Sequence, residues 1–450
     1  MKKNDIVTLE ITALTNEGSG VARCDGMAVF VPYTAVGDVI SCRIVKVLKS
    51  YAYGRVESII TPSADRVEND CPVFGKCGGC AFRHISYEAE LAAKESFVRD
   101  AFRRIGGIDA DFLPIKGSDI TEGYRNKLQM PLSRDENGAA VCGFFSERSH
   151  RVVAVKSCLL QPAEFAEITE FVLSSLKALG ISPYNEEKHE GVLRHIFLRK
   201  GHYSGEVCLC LVARKNAPGF SRLAKDVMEK FPAIRGVVLN INPDRTNVIL
   251  GEKEIVLRGD AVISDRMCGN RVEISPKSFY QVNTPAAESL YAQAAEFAQP
   301  SGKTVLDLYC GAGTIGLSMA RQANRIIGAE IVPQAVENAR QNALRNGIEN
   351  AEFICADAGQ AAERLAKNGT KPDVIILDPP RKGCDEATLS ACAKMSPERI
   401  VMVSCNPATA ARDAKRLNEL GYKTERIRAF DLFPRTVHVE CVVSMKRESE

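Results

Sequence analysis

The chain reads as a multi-domain α/β protein: a small N-terminal β-barrel, a central α+β domain with a cysteine cluster, and a C-terminal Rossmann-like domain. Three observations predict this. Residues 4–60 alternate apolar and polar positions between turn signals. From residue 278 onward, short apolar strands alternate with helix-length segments, the pattern of a doubly wound, mostly parallel sheet. Between them lies mixed strand and helix sequence, preceded by cysteines at 71, 77 and 80. The expected domains are 1–60, 61–277 and 278–450.

Composition agrees. A chain of 450 residues has length for roughly two to four domains. Its 45% hydrophobic and 26% charged content suits a soluble globular protein. No apolar run approaches the roughly 20 residues a membrane helix needs. The start, MKKNDIVTLEI, lacks a long apolar core with a small-residue cleavage site. A cytoplasmic protein is expected, with no membrane partner, and no protein partner is inferred. Net charge of +3 permits a nucleic-acid partner without arguing for one. Of the sixteen cysteines, several lie in apolar runs, as in VCLCLV (Cys208, Cys210) and FICAD (Cys355). Most therefore read as buried small hydrophobes in a reducing compartment.

Taken in order, DIVTLEITAL, MAVFVPY, VISCRIVKVL and YAYGRVESII give four or five barrel strands, separated by NEGSG, CDG and VGD. Lys46, Lys49 and Arg55 lie on the later strands, but acids nearly balance them. On charge alone, an RNA-binding face and an ordinary solvated face stand level. Residues 71–80, CPVFGKCGGC, have metal-site spacing that suits zinc or an iron–sulfur cluster. Residues 86–105 form an amphipathic helix ended by Gly106-Gly107. Residues 110–275 supply strands such as VLRHIFLRK and GEVCLCLVAR, and helices near 162–179 and 219–230. Its basic segments EGYRNKLQMP, ERSHR (147–151) and LRHIFLRK read singly as solvated or structural, with Arg125 and Lys127 the candidates for phosphate contacts.

The C-terminal unit carries the chemistry. DLYCGAGTIG ends a strand, opens a helix and matches G-x-G-x-x-G. Asp307 precedes the first glycine by four residues, where an acid meets a methionine amine and repels a pyrophosphate. Glu330 ends the next strand, placed for ribose hydroxyls, and Asp357 follows the third, placed for adenine. Together they favour S-adenosylmethionine over NAD. Open α/β sheets bind ligands at the carboxyl ends of their strands, so Asp378 in ILDPPRKG and Cys405 in VSCNPATAARD should converge. Most cysteines here are buried, but the Asn-Pro after Cys405 makes a turn that exposes the thiol before a helix, whose N-terminus favours a thiolate.

DLFPRTVHVE places His438 and Glu440 on one face of a strand. The apolar CVVSM that follows makes Glu440 a general-base candidate rather than a solvated edge residue. A thiol nucleophile, a base and a methyl donor suit methylation of a carbon that is not nucleophilic by itself, such as C5 of uracil. An exocyclic amine needs no thiol, and its enzymes usually show an aromatic after Asp-Pro-Pro, where this chain has Arg381.

FYQVN (279–283), DLYCGAG (307–313), DPPRKG (378–383), SCNP (404–407) and FPRTVHVE (433–440) resemble, in order and spacing, the RNA uracil-C5 methyltransferase family. The barrel, with EGSGVAR, resembles a TRAM domain. C-x5-C-x2-C with the distant Cys158 resembles the branch that carries a [4Fe-4S] cluster and methylates 23S rRNA. The resemblance implies S-adenosyl-L-methionine contacts at Gln281, Tyr309, Glu330, Asp357 and Asp378. Thr314, a departure where some members have asparagine, is implied only as a weaker contact. It implies Cys405 as nucleophile, Glu440 as base, and Cys71, Cys77, Cys80 and Cys158 as cluster ligands, with Cys142 as the spare. The implied partner is RNA, most specifically 23S rRNA. A tRNA uracil-C5 methyltransferase is the nearest alternative. An NAD-dependent iron–sulfur oxidoreductase is the alternative of another class, opposed by Asp307 and by the SCNP and HVE segments. With no tryptophan and 6% aromatics, stacking platforms for flipped bases are few.

Overall fold

The computed structural model describes residues 1–147 and 149–448. Of the basic segment ERSHR, Arg148 therefore lies outside the described residues. The N-terminal alternation becomes a six-stranded sheet, ordered Ile6–Glu10, Val39–Val47, Tyr51–Thr61, Met27–Pro32, Ser19–Cys24, Ala13–Leu14. The sequence suggests four or five strands; the additional element is the two-residue Ala13–Leu14, too short for a periodic signal. Alternate residues, among them Leu9, Val29, Val31, Ile40 and Ile44, turn inward to form the core. Buried Asp38 ties this unit to the adjoining loop, accepting from Arg66 Nε at 2.8 Å and Nη2 at 2.7 Å. Burial pushes its carboxyl up, but the Arg66 bonds and charge, together with hydrogen bonds from the Ala35 and Ser63 amides, hold it below the usual range.

The central unit is a seven-stranded sheet, ordered Val152–Ala154, Ala140–Phe145, Lys127–Arg134, Leu193–Lys200, Val207–Ala213, Ile234–Ile241, Lys253–Gly259. Helices Ala163–Leu176 and Gly219–Lys230 cover one face. The other face, with Phe197, Cys208, Cys210 and Val238, shares a core with the hairpin Ile263–Met267/Asn270–Ile274 and the helix Thr284–Ala298. Strands buried on both faces read as unbroken apolar runs, which explains VCLCLVA.

The C-terminal sheet has eight strands, ordered Ala351–Cys355, Arg325–Glu330, Thr304–Leu308, Val374–Leu377, Arg399–Ser404, Glu440–Arg447, Tyr422–Phe430, Asp111–Lys116. Glu440–Arg447 runs antiparallel to both its neighbours. The outer strand Asp111–Lys116 is contributed by chain that precedes the central sheet, and it lies parallel to Tyr422–Phe430. Just before it, the helix Tyr87–Ala101 is N-capped by Ser86, whose Oγ accepts from Ala89 N at 3.2 Å. The helix expected over 86–105 ends sooner, widening into a π turn at Phe102–Gly106 that closes on Gly107 at φ 62°. Val98 and Phe102 pack with Ala410, Ala411 and Ala414 of the helix Pro407–Glu419. This early segment is thus part of the C-terminal core.

Among the described residues no helix is long and apolar enough to cross a membrane.

Candidate active site

The carboxyl ends of the parallel strands gather acids. Asp307, 1% exposed at the end of Thr304–Leu308, accepts through Oδ2 from Gly316 N at 2.9 Å. A Cβ at position 316 would lie 2.9 Å from that same oxygen, so a larger residue would displace the carboxylate. Burial, with the charges of Asp378 and Glu330 nearby, pushes the Asp307 carboxyl up to about 7. Its Oδ1 is buried without a partner. An orphaned acceptor beside two other carboxylates suits an ammonium or hydroxyl donor and repels a pyrophosphate.

Other predicted contacts surround it. Tyr309 leaves the strand in the left-handed region at φ 64°, a strained conformation for a bulky residue and typical of functional sites. Its hydroxyl meets Cys384 and Thr388. Glu330 fixes the glycine turn, its Oε2 accepting from Gly311 N at 3.1 Å while Oε1 accepts from Val332 N at 2.9 Å. Thr314 Oγ1 donates to Tyr291 Oη at 3.4 Å, and Tyr291 also neighbours Gln281 and Asp378. Asp357 caps the helix Ala358–Lys367 through Oδ1, which accepts from Gly359 N at 3.0 Å. Asp357 thus has a local structural task at the third strand end.

Asp378 joins this acid group to the second half of the crevice. Burial pushes its carboxyl up to about 7, and its charge reaches Cys405 and Glu440. Ser404 pairs with Cys441 across the antiparallel strands, so Cys405 and Glu440 leave that register side by side. Glu440 is 6% exposed, and burial, with Asp378 adding and Arg381 opposing, pushes its carboxyl up to about 8. The sequence predicts that the following helix activates the Cys405 thiol; the structure instead raises it above its ordinary value. Burial and the Glu440 charge outweigh Arg381 and a backbone hydrogen bond. Asn406, not Cys405, caps that helix, accepting from Ala408 N at 3.1 Å.

His438 was expected on a strand with Glu440, but the strand begins at Glu440 and His438 lies in the preceding turn. Its ring still meets the charge of Arg381, and burial holds it below the usual histidine value. Sequence reasoning missed Arg381 as a site residue. Its signal was the Arg381-Lys382 pair following Asp-Pro-Pro at a strand end.

The cysteines of 71–80 lie on a turn-rich loop, where Cys77 N donates to Val73 O at 2.9 Å and Phe74 N to Cys71 O at 3.1 Å. Cys80 meets the charges of Cys158, Cys77 and Cys71, so two distant stretches of chain bring four thiols into one neighbourhood. Cys142 stands apart in the central core, 3.6 Å from Met130 Sδ. Among the described residues no group of three or more His, Cys, Asp or Glu side chains closes on a point where one metal ion could sit. The loop nevertheless touches the chemistry: Ala81 N and Phe82 N both donate to Arg435 O, at 2.9 and 3.1 Å, in the turn leading to Glu440.

Of the basic segments, Arg194 in LRHIFLRK is structural, donating through Nη1 to the Asn242 and Asp244 carbonyls at 3.0 and 2.7 Å. Arg125 and Lys127 lie half-buried at the start of the strand Lys127–Arg134.

Comparison with known proteins gives this geometry a context. Residues 237–448 match the family model for tRNA (Uracil-5-)-methyltransferase, and residues 2–56 match the TRAM domain. The chain is 43% identical over 449 residues to an uncharacterized RNA methyltransferase of Halalkalibacterium halodurans, covering 99% of this chain and 98% of that one. It is 42% identical over 450 residues to another from Bacillus cereus, again covering 99% and 98%. Among solved structures, the Pyrococcus abyssi tRNA (uracil-54, C5)-methyltransferase in complex with S-adenosyl-L-homocysteine aligns with a TM-score of 0.79 and 27% identity. That alignment covers 98% of this chain and 100% of that one. Such similarity, end to end and across the acid-lined crevice, means that the chain belongs to the RNA (uracil-5-)-methyltransferase family, S-adenosylmethionine-dependent enzymes, here with an N-terminal TRAM domain.

Proposed function

We propose that this enzyme methylates C5 of a uridine in 23S rRNA through a covalent adduct between Cys405 and C6. The observation that carries the reading is the pairing of Cys405 with Glu440 at one end of adjacent strands, with Asp378 beside both. S-adenosylmethionine, held along Gln281, Tyr309, Thr314, Glu330, Asp357 and Asp378, supplies the sulfonium methyl. The Cys405 thiolate adds to C6; the C5–C6 π pair moves toward the C4 carbonyl as an enolate, and C5 then takes the methyl, the broken C–S pair staying on sulfur to leave S-adenosyl-L-homocysteine. Glu440 then removes the C5 proton. The pair released re-forms the C5–C6 double bond and expels the Cys405 thiolate. Arg381 favours the anionic forms of both groups. Residues 1–60, 61–277 and 278–450 serve as RNA-binding, cysteine-bearing and methyl-transferring parts, the second lending the helix Tyr87–Ala101 and the strand Asp111–Lys116 to the core and sheet of the third.

Cys71, Cys77, Cys80 and Cys158 are proposed to hold a [4Fe-4S] cluster. A cubane presents four irons to four separate thiolates, so it takes neighbouring sulfurs rather than sulfurs that close on one ion. The sixteen cysteines are all free thiols, which supports both a thiolate-ligated cluster and a reducing, cytoplasmic setting. This chain's own loop does the structural work, passing from Cys80 to the Ala81 and Phe82 amides that hold Arg435. Anaerobically purified protein should be brown and contain iron and acid-labile sulfide in the proportions of one cubane per chain. Colourless protein with one zinc per chain would refute the assignment.

The cysteine set favours ribosomal RNA; the likeness to the Pyrococcus abyssi enzyme favours the second reading, tRNA. Mapping 5-methyluridine in both RNAs from cells with and without this protein tests them together. Loss confined to 23S rRNA is the expected result. Loss confined to tRNA replaces the substrate, and no loss in either overturns the proposal.

A further inference from the structure

The central sheet turns a group of cations toward its seam with the C-terminal unit. Arg199 and Lys127 are direct partners in the antiparallel pairing of their strands, so their side chains share one face. Phe197 and Cys208 belong to the same face, and the Phe197 ring lies 5.8 Å from the Arg199 guanidinium. Arg199 is 4% exposed. One of its nitrogens donates to the Ser278 carbonyl, while Nε and Nη1 are buried without partners. Lys127 stands in front of it, and burial, Arg199 and then Arg125 push its ammonium down to about 8. Among the described residues the charges acting on Lys127 are those two cations, with no acid among them. The charge of Arg125 also acts on His438 in the crevice.

A fold that buries repelling cations without a counter-charge loses stability unless a ligand supplies that charge. The surroundings say where such a ligand would lie. Ser278 immediately precedes FYQVN, and Asn126, between the two exposed-side cations, binds that segment. Its N donates to Val282 O at 2.9 Å and its Nδ2 to Gln281 O at 2.8 Å. The cations therefore border the methyl-donor crevice on one side and the turn carrying His438 on the other.

We propose that Lys127 and Arg125 form a subsite for one backbone phosphate of the RNA substrate, with Arg199 behind them sustaining the positive potential. The proposal rests on the reading that the substrate is RNA. A phosphate fixed here sets the register of the strand beside the target uridine, since phosphate contacts position a nucleic acid while base contacts specify it.

Binding of a short unmodified uridine-containing RNA to the full-length protein, titrated across a potassium chloride series, tests this. Lys127→Gln should weaken binding roughly tenfold and make the log–log salt slope shallower by about 1. Lys127→Arg should restore both, and S-adenosylmethionine affinity should stay unchanged throughout. Inorganic phosphate should compete with RNA on the wild type and lose that effect on Lys127→Gln. Unchanged affinity and slope in Lys127→Gln, with wild-type RNA binding intact, overturn the subsite and leave the RNA reading standing. A parallel fall in S-adenosylmethionine affinity marks general damage and also overturns it. Phosphate binding that leaves RNA affinity untouched marks a free-anion site, which overturns the RNA assignment of the cations. Wild-type protein that binds no RNA overturns the reading on which the subsite rests.

Discussion

Replacing Cys405 with alanine should reduce methyl transfer by at least about 10⁴-fold while leaving S-adenosylmethionine and RNA binding within a few-fold of wild type. The expectation follows from uracil chemistry. C5 becomes nucleophilic only after addition at C6, and among the cysteines near the acid cluster Cys405 is the one paired across the strands with a buried carboxylate. Alanine removes the attacking sulfur without disturbing the Asn406 cap or the buried strand before it. Glu440→Gln separates the later step. Addition and methyl transfer persist, proton removal fails, and a denaturant-stable protein–RNA adduct should accumulate. Glu440 lies near 8 and the Cys405 thiol is raised, while each must be deprotonated to act. Wild-type kcat/KM should therefore climb with pH through about 8 rather than plateau at 7. Appreciable turnover by Cys405→Ala, or no adduct with Glu440→Gln, would sink the covalent route.

Much of this architecture is legible in the sequence because it rests on local periodicity. The barrel strands alternate, and the parallel strands are solid apolar runs such as Val374–Leu377, all buried. The glycine turn, Asp378 and Cys405 fall at strand ends, where topology rather than detail brings ligands and side chains together. What escapes the sequence is long-range. Asp111–Lys116 pairs with a strand some three hundred residues later, and nothing local marks that partner. The expected helix-terminal activation of Cys405 fails because the surrounding burial and the Glu440 charge, both tertiary, dominate its electrostatics. Arg199 sits in a segment that reads as an ordinary basic strand; only the pairing with Lys127 shows the two cations without a counter-charge.

Lys94→Met should loosen the turn that delivers Glu440, and it should do so by a large margin. Glu90 and Lys94 lie one helical turn apart, and neither side chain is exposed at all. Lys94 Nζ donates to Glu90 Oε1 and Asp431 Oδ1, each at 2.7 Å, and to Phe433 O at 3.2 Å. The same carboxylates hold the turn's backbone: Glu90 Oε1 accepts from Arg435 N at 2.7 Å, and Asp431 Oδ1 accepts from Phe433 N at 3.0 Å. Tyr87 adds an O–H donated to Asp431 Oδ2 at 2.9 Å. Removing the ammonium leaves two buried carboxylates facing each other, a change that costs about 3–5 kcal/mol. Exchange of the Phe433 and Arg435 amides should therefore quicken by roughly two to three and a half powers of ten, since about 1.4 kcal/mol corresponds to one. The pH dependence gives a second check. Burial already pushes Glu90 up to about 7 against the opposing pull of Lys94, so without the lysine its folded value rises further. A carboxyl raised on folding favours the native state below its unfolded value, about 4.3, and that contribution is lost as pH rises through the folded value. The variant should thus recover protection as pH falls from 8 toward 5. Methyl transfer should drop with it at neutral pH, through kcat, while S-adenosylmethionine affinity holds. Turn amides that exchange at the wild-type rate in Lys94→Met would show that the buried triad does not position Glu440.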